Sequence, residues 1–182
     1  MAIQSPVTLD EAKIHLRVVT TAEDQYITGL CLAATAWAEK FQNRTFVTRT
    51  RTMVLDKFPA VIRPPDPPLV SVTSIVYIDL NGASQTLDAA NYRVDAVTEP
   101  GRITVAYDLS WPDTRAVTNA VTITYEAGYG NAARVPDDVK HAIKLMLTHF
   151  YENRVPVSDV KMEIVPLAVQ NLLWMDRILS GV

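Results

Sequence analysis

The chain carries one cysteine, Cys31, in 182 residues, so an intrachain disulfide is impossible and a thiolate metal cage has no ligands to draw on. It has no basic excess. Seventeen Lys and Arg stand against 20 Asp and Glu, a formal charge of -3, which argues against a dedicated nucleic-acid binder while leaving room for DNA contact at one patch. No uncharged run reaches the roughly 20 residues of a membrane span, and Met1 to Thr8 shows no positive region leading into an apolar stretch. No membrane partner is expected, and synthesis in a cytoplasm is.

Motifs for chemistry are equally scarce. There is no G-x-S-x-G elbow and no Walker loop, and the carboxylates follow no pattern that marks a general acid with its base. Of the three histidines, His141 and His149 lie eight apart on one expected helix, where metal-binding pairs sit four apart. Gly128-Tyr129-Gly130-Asn131-Ala132-Ala133 fits G-x-G-x-x-A, but helix is expected only from Pro136 and no strand follows it, so a flexible exit from a sheet competes with a dinucleotide loop. No catalytic, cofactor or metal residue is assigned, and the chain reads as a non-enzyme.

What is present is a globular composition, 48% hydrophobic with 20% charge. Its length suits one ordinary domain, or a small one carrying an insertion. Thr8 and Glu11 form a capping box opening a first helix with Leu9, Ala12 and Leu16 on one side. Thr21 and Asp24 are placed to cap a second helix, about Ala22 to Gln42, whose stripe is Ile27, Leu30, Cys31, Ala34, Ala38 and Phe41. Cys31 therefore reads as a small core residue. A neighbouring stripe of Tyr26, Ala33, Trp37 and Lys40 gives this helix more apolar surface than one core needs, so these four are candidate subunit-packing residues.

After Arg44 the pattern becomes β. Thr45 to Leu55 alternates, with Arg49 and Arg51 on one face as candidates for contact with DNA or an acidic partner. Pro59 to Pro68 reads as a stiff extended connection. Leu69 to Ile78 ends at Asn81-Gly82, a hairpin signal, and shorter β segments follow at Ser84 to Leu87, Tyr92 to Val94, Arg102 to Ala106 and Ala120 to Ala127. Charge is uneven: Lys40 to Arg63 holds six basic residues and one acidic, Pro64 to Asp138 four basic and ten acidic. Solvated faces and an oriented partner surface both account for this.

Helix returns at Pro136 with the stripe Val139, Ile143, Met146, Leu147 and Phe150, ending near Asn153. A linker, Val155 to Val165, leads to a final helix, about Pro166 to Leu179. Leu172, Met175, Ile178 and Leu179 share a face there, with Val169 above and Leu173 and Trp174 beside it. This segment reads either as a tethered helix-in-groove ligand or as one that folds back on its own domain.

The expected fold is α+β. A small helical bundle is built from residues 1–44 and a returning helix at 131–154. An antiparallel β-sheet or small barrel is inserted at 45–130, and a linker with a C-terminal helix occupies 155–182.

The blocks VTLDEAKIHLRV, AEDQYITGLCLAATAWAEKFQNRTF, VPDDVKHAIKLMLTHFYENR and VPLAVQNLLWMDR resemble, in that order, the head-tail connector (adaptor) proteins of long-tailed phages, prophages and gene transfer agents. The most diagnostic pieces are Glu11-Ala12-Lys13 with His15-Leu16-Arg17, and Tyr151-Glu152-Asn153-Arg154. One departure is Gln42-Asn43-Arg44, where the family often has a Thr-Gly-Arg turn; Asn tolerates the same left-handed cap.

The resemblance implies a virion structural protein at the particle neck, a homo-oligomeric ring of twelve copies below the portal protein. The ring would extend the DNA channel to a downstream connector or tail component, with genomic DNA passing through without specific binding. It makes Val169, Leu172, Leu173, Trp174, Met175, Arg177, Ile178 and Leu179 the candidate portal interface. Two other readings stay open: a nucleic-acid-binding packaging factor acting through Arg49 and Arg51, and a small nucleotide-binding domain using Gly128 to Ala133.

Overall fold

A computed structural model describes residues 3–153 and 167–179; the expected linker, Val155 to Val165, lies outside the described residues. The chain forms two compact units, Thr48–Tyr129 and the sequence on either side of it.

In the flanking unit, helix α1 (Leu9–Leu16) begins at the expected capping box. The Thr8 hydroxyl accepts from the Glu11 amide at 3.2 Å, and the Glu11 carboxylate accepts from the Thr8 amide at 2.8 Å. That second bond comes first among the causes that hold the Glu11 carboxyl below its ordinary range. Arg17, left-handed at φ 59, closes the helix.

Helix α2 (Asp24–Gln42) departs from the expected start. Glu23 occupies the N-cap without a side-chain capping bond, its carboxylate accepting instead from the Tyr151 hydroxyl, and Asp24 pairs with Lys13 Nζ at 2.6 Å, tying the start of α2 to α1. An ion pair with a preceding helix takes the carboxylate that a local cap would have used. The helix ends, as the sequence allows, at Asn43 in the left-handed region, φ 54.

Helix α3 (Asp137–Glu152) buries Val139, Ala142, Ile143, Met146 and Leu147. Ile27, Cys31, Ala34 and Ala38 of α2 are buried in the same unit, and α2 packs on α1 and α3. Each large aliphatic in such a core contributes about 1.5–3 kcal/mol relative to exposure. Burial also pushes the Cys31 thiol up to about 11, which suits its packing role.

The last helix, α4 (Leu167–Trp174), is shorter than the sequence predicts. Met175 and Asp176 form a turn and Arg177 to Leu179 are not helical. Helix α4 packs on α3 and α2.

The other unit holds two antiparallel sheets. One has the order β1 (Arg49–Leu55), β7 (Val121–Ala127), β3 (Leu69–Ile78), β4 (Ser84–Thr86); the other has the order β2 (Val61–Ile62), β6 (Arg102–Val105), β5 (Tyr92–Asp95). Among the described residues neither sheet closes, so of the two expected forms, sheet or small barrel, the chain takes open sheets. Strand β7 is the spine: Val121, Ile123, Tyr125 and Ala127 are buried and alternate with half-exposed Thr122, Thr124 and Glu126.

Residues of both sheets, Ile62, Leu69, Ile75, Tyr92, Ile103 and the buried face of β7, form one cluster. The Asn81-Gly82 signal gives the β3–β4 hairpin. Gly82 sits at φ 86, and Asp79 Oδ1 accepts from the Asn81 and Ala83 amides at 2.9 Å each.

Strand β2 falls inside what the sequence reads as a Pro-rich connection. Two residues between prolines carry no readable period, yet Ile62 is fully buried against β6.

Candidate assembly surfaces

The C-terminal segment returns to the end of α2. Val169 and Leu173, two apolar residues a helical turn apart, are fully buried. Gln42 Nε2 donates to the Leu173 carbonyl at 2.9 Å, Arg44 Nε to the Asp176 carbonyl at 2.6 Å, and Asn43 Nδ2 to the Ile178 carbonyl at 2.7 Å. The Ile178 amide donates to the Gln42 carbonyl at 2.9 Å. These four bonds satisfy carbonyls in and beyond the last turn of α4 and the carbonyl at the end of α2, where helical partners run out.

An aromatic file lies over this junction. Trp37 stacks on Phe41 with centroids 5.1 Å apart, and Phe41 meets Trp174 at 6.3 Å. The Arg177 guanidinium sits 5.0 Å from the Phe41 ring centre and 5.2 Å from that of Trp174, an arrangement that favours a cation. Of the eight residues singled out in this segment, Val169 and Leu173 face the bundle, and Leu172, Arg177 and Ile178 are half-buried. Trp174, Met175 and Leu179 remain outside, 59%, 87% and 73% exposed. Between the two open readings, the segment folds back, and it still presents an apolar surface.

Phe41, Gln42, Asn43 and Arg44 escaped assignment to this surface. The only local sign was the Asn cap, because their partners lie more than 130 positions away.

The four α2 residues proposed for subunit packing share the outer side of the helix. Ala33 and Lys40 are exposed, Tyr26 lies across from Tyr151 at 6.3 Å, and Trp37 is half-buried in the aromatic file. Arg49 is only 7% exposed, and Arg51 is ion-paired with Asp66. Their positions on one strand face do not give two projecting cations.

The glycine loop shows no phosphate cradle. Gly128 (φ 134) donates its amide to the Pro68 carbonyl at 2.9 Å, a short 3-10 turn spans Ala132–Arg134, and α3 follows. That order of elements is the exit from a sheet, not a βαβ unit.

An open cleft of about 700 Å³ in the β unit is lined by Asp56, Lys57, Phe58, Trp111 and Asp113 among others. Of its lining, Phe58 and Trp111 stack with ring centres 4.8 Å apart, and Asp56 accepts from the Asn119 amide. Neither histidine nor cysteine lines it. Among the described residues no three His, Cys, Asp or Glu side chains gather to hold a metal, and no helix is long and apolar enough to cross a membrane. His15 lies near Lys144 and His141, and burial, ahead of those charges, lowers its pKa.

The chain is similar to three solved structures. A chain from the neck of an empty GTA particle computed with C6 symmetry is 24% identical with a TM-score of 0.80, covering 100% of this chain and 96% of that one. A chain from the virion of a native gene transfer agent (GTA) particle is 23% identical with a TM-score of 0.79, over 100% and 96%. A chain from the neck of a native GTA particle computed with C12 symmetry is 22% identical with a TM-score of 0.73, over 97% and 92%. These likenesses establish the fold. No curated protein matches the chain in sequence. The family model described as head completion protein matches residues 7–163, a span that takes in α1, α2, all seven strands and α3, and the chain belongs to that family.

Proposed function

We propose that this protein is a non-enzymatic structural connector at the head-tail interface of a tailed particle, a phage, prophage or gene transfer agent. It forms a ring below the portal protein, extends the DNA channel and receives the next connector or tail component. Membership of the head completion protein family over residues 7–163 carries the reading. The exposed apolar side chains Trp174, Met175 and Leu179, set on a segment clamped to α2, support portal docking at that end. The face of α2 with Tyr26, Ala33, Trp37 and Lys40 is proposed for subunit packing.

The test is co-sedimentation with portal rings. The full-length chain is expected to be retained in excess over background, and a Trp174→Ala, Met175→Ala, Leu179→Ala variant to be lost while its thermal midpoint stays close to wild type. Deleting the segment outright is a poorer test, because removing Val169 and Leu173 uncovers the bundle core. Wild-type protein that portal never retains would sink the proposal.

A further inference from the structure

Two exposed helix faces in the bundle match each other in spacing, and one carries an acid, Asp10, where the other carries a base, Lys40. On α1, Asp10 and Ile14 lie four residues apart on one exposed stripe, and exposed Arg17 follows at the left-handed C-cap. Ile14 is 79% exposed, and Val19, just past the helix, is 91% exposed. Leaving two large aliphatics in water at the end of one short helix forgoes hydrophobic stabilisation that a partner surface would recover. On α2, Gly29, Leu32, Ala33 and Lys40 are exposed with Ala36 half-buried among them, and a side chain added at Gly29 would meet nothing within 4 Å.

We infer that the α1 stripe of one copy docks antiparallel on the outer face of α2 of the next copy, as the repeating contact of the ring. Four residues separate Asp10 from Ile14 and Ala36 from Lys40, about 6 Å along either helix. Setting Asp10 against Lys40 of the neighbour therefore places Ile14 over Ala36. The chain leaving α1 carries Val19 towards Gly29 and Leu32, where small side chains leave room for it. Among the described residues Asp10 and Lys40 form no ion pair within their own chain. The two faces differ, so the contact is head-to-tail and generates a ring if its rotation closes. The inference rests on the ring reading and adds to it the element that covers α2.

The test uses full-length chains with portal rings at roughly 0.1 M salt, where the Debye length is about 10 Å. Asp10→Lys alone and Lys40→Glu alone each set like charges against one another at every contact. Each is expected to lower ring formation at least tenfold while lowering the thermal midpoint by only a few degrees, since both positions are exposed and each reversed charge sits at a helix end. An equimolar mixture of the two variants restores opposite charges at every contact and is expected to recover rings. Variants that assemble as wild type does, or a mixture that stays unassembled, overturn this contact and leave the connector reading standing. Wild-type chain that forms no ring overturns that reading itself.

Discussion

Asp95 lies on the surface, yet its carboxyl is held down to about 2. The Thr98 backbone amide contributes most, followed by the Val97 amide and the Thr98 hydroxyl, with Arg102 Nε at 2.9 Å adding a smaller effect. The ordinary value is 3.8, so the folded state binds its proton less readily than the unfolded chain. The stabilisation is therefore complete above about pH 4 and is lost as pH falls towards about 2. Asp95→Asn is expected to lower the thermal midpoint at pH 7 and to flatten its decline between pH 4 and 2. Melts across that range check it, and an unchanged slope would count against the assignment. Local bonds of this kind are the most legible in a sequence: the Thr8–Glu11 box could be read because both partners lie within one turn of chain. The Lys13–Asp24 pair could not, because it depends on how two helices meet.

Among the elements, α4 divides its residues between two tasks. Leu173 and Val169 are buried while Trp174 is 59% exposed, so adjacent positions in the chain should respond differently to truncation. Leu173→Ala is expected to cost about 2–5 kcal/mol, as for other fully buried leucines. Trp174→Ala, which loses its contacts with Phe41 and Arg177 but opens no core cavity, is expected to cost under about 1 kcal/mol. Urea midpoints of the two variants decide it, and equal losses would mean that Trp174 belongs to the core.

Elements with a long, clean period were legible: the alternation of β7 matches its burial, and of the α2 stripe Ile27, Cys31, Ala34 and Ala38 are buried with Leu30 and Phe41 half-buried. The two-residue β2 and the end of α4 were not. The first is fixed by its pairing with β6, and the second by Gln42, Asn43 and Arg44 reaching carbonyls far away in sequence. Of the candidate surfaces, the apolar content of the C-terminal helix could be read from its sequence. Which of its residues face inward could not, because that depends on the rotation of the helix against α2 and α3.

For the molecule as a whole, the question is whether it grips the DNA its proposed channel would pass. The basic run from Lys40 to Arg63 includes the two candidates for DNA contact, Arg49 and Arg51, but the fold engages half of its cations. Arg44 donates to the Asp176 carbonyl, Arg49 is buried, and Arg51 is paired with Asp66, leaving Lys40, Lys57 and Arg63 exposed. Three exposed cations from this run, on a chain of net charge -3, neutralise too few phosphates to hold a duplex against physiological salt. Mobility-shift assays with duplex DNA at about 0.15 M salt are expected to show no retardation. Arg49→Glu with Arg51→Glu should then leave the result unchanged at low salt as well. Retardation that the double variant abolishes, with a log–log salt slope near the roughly -0.9 per phosphate of a true backbone contact, would favour a DNA-binding packaging factor over a connector. Weak affinity is the property a conduit requires, because each phosphate contact would slow the strand it must release.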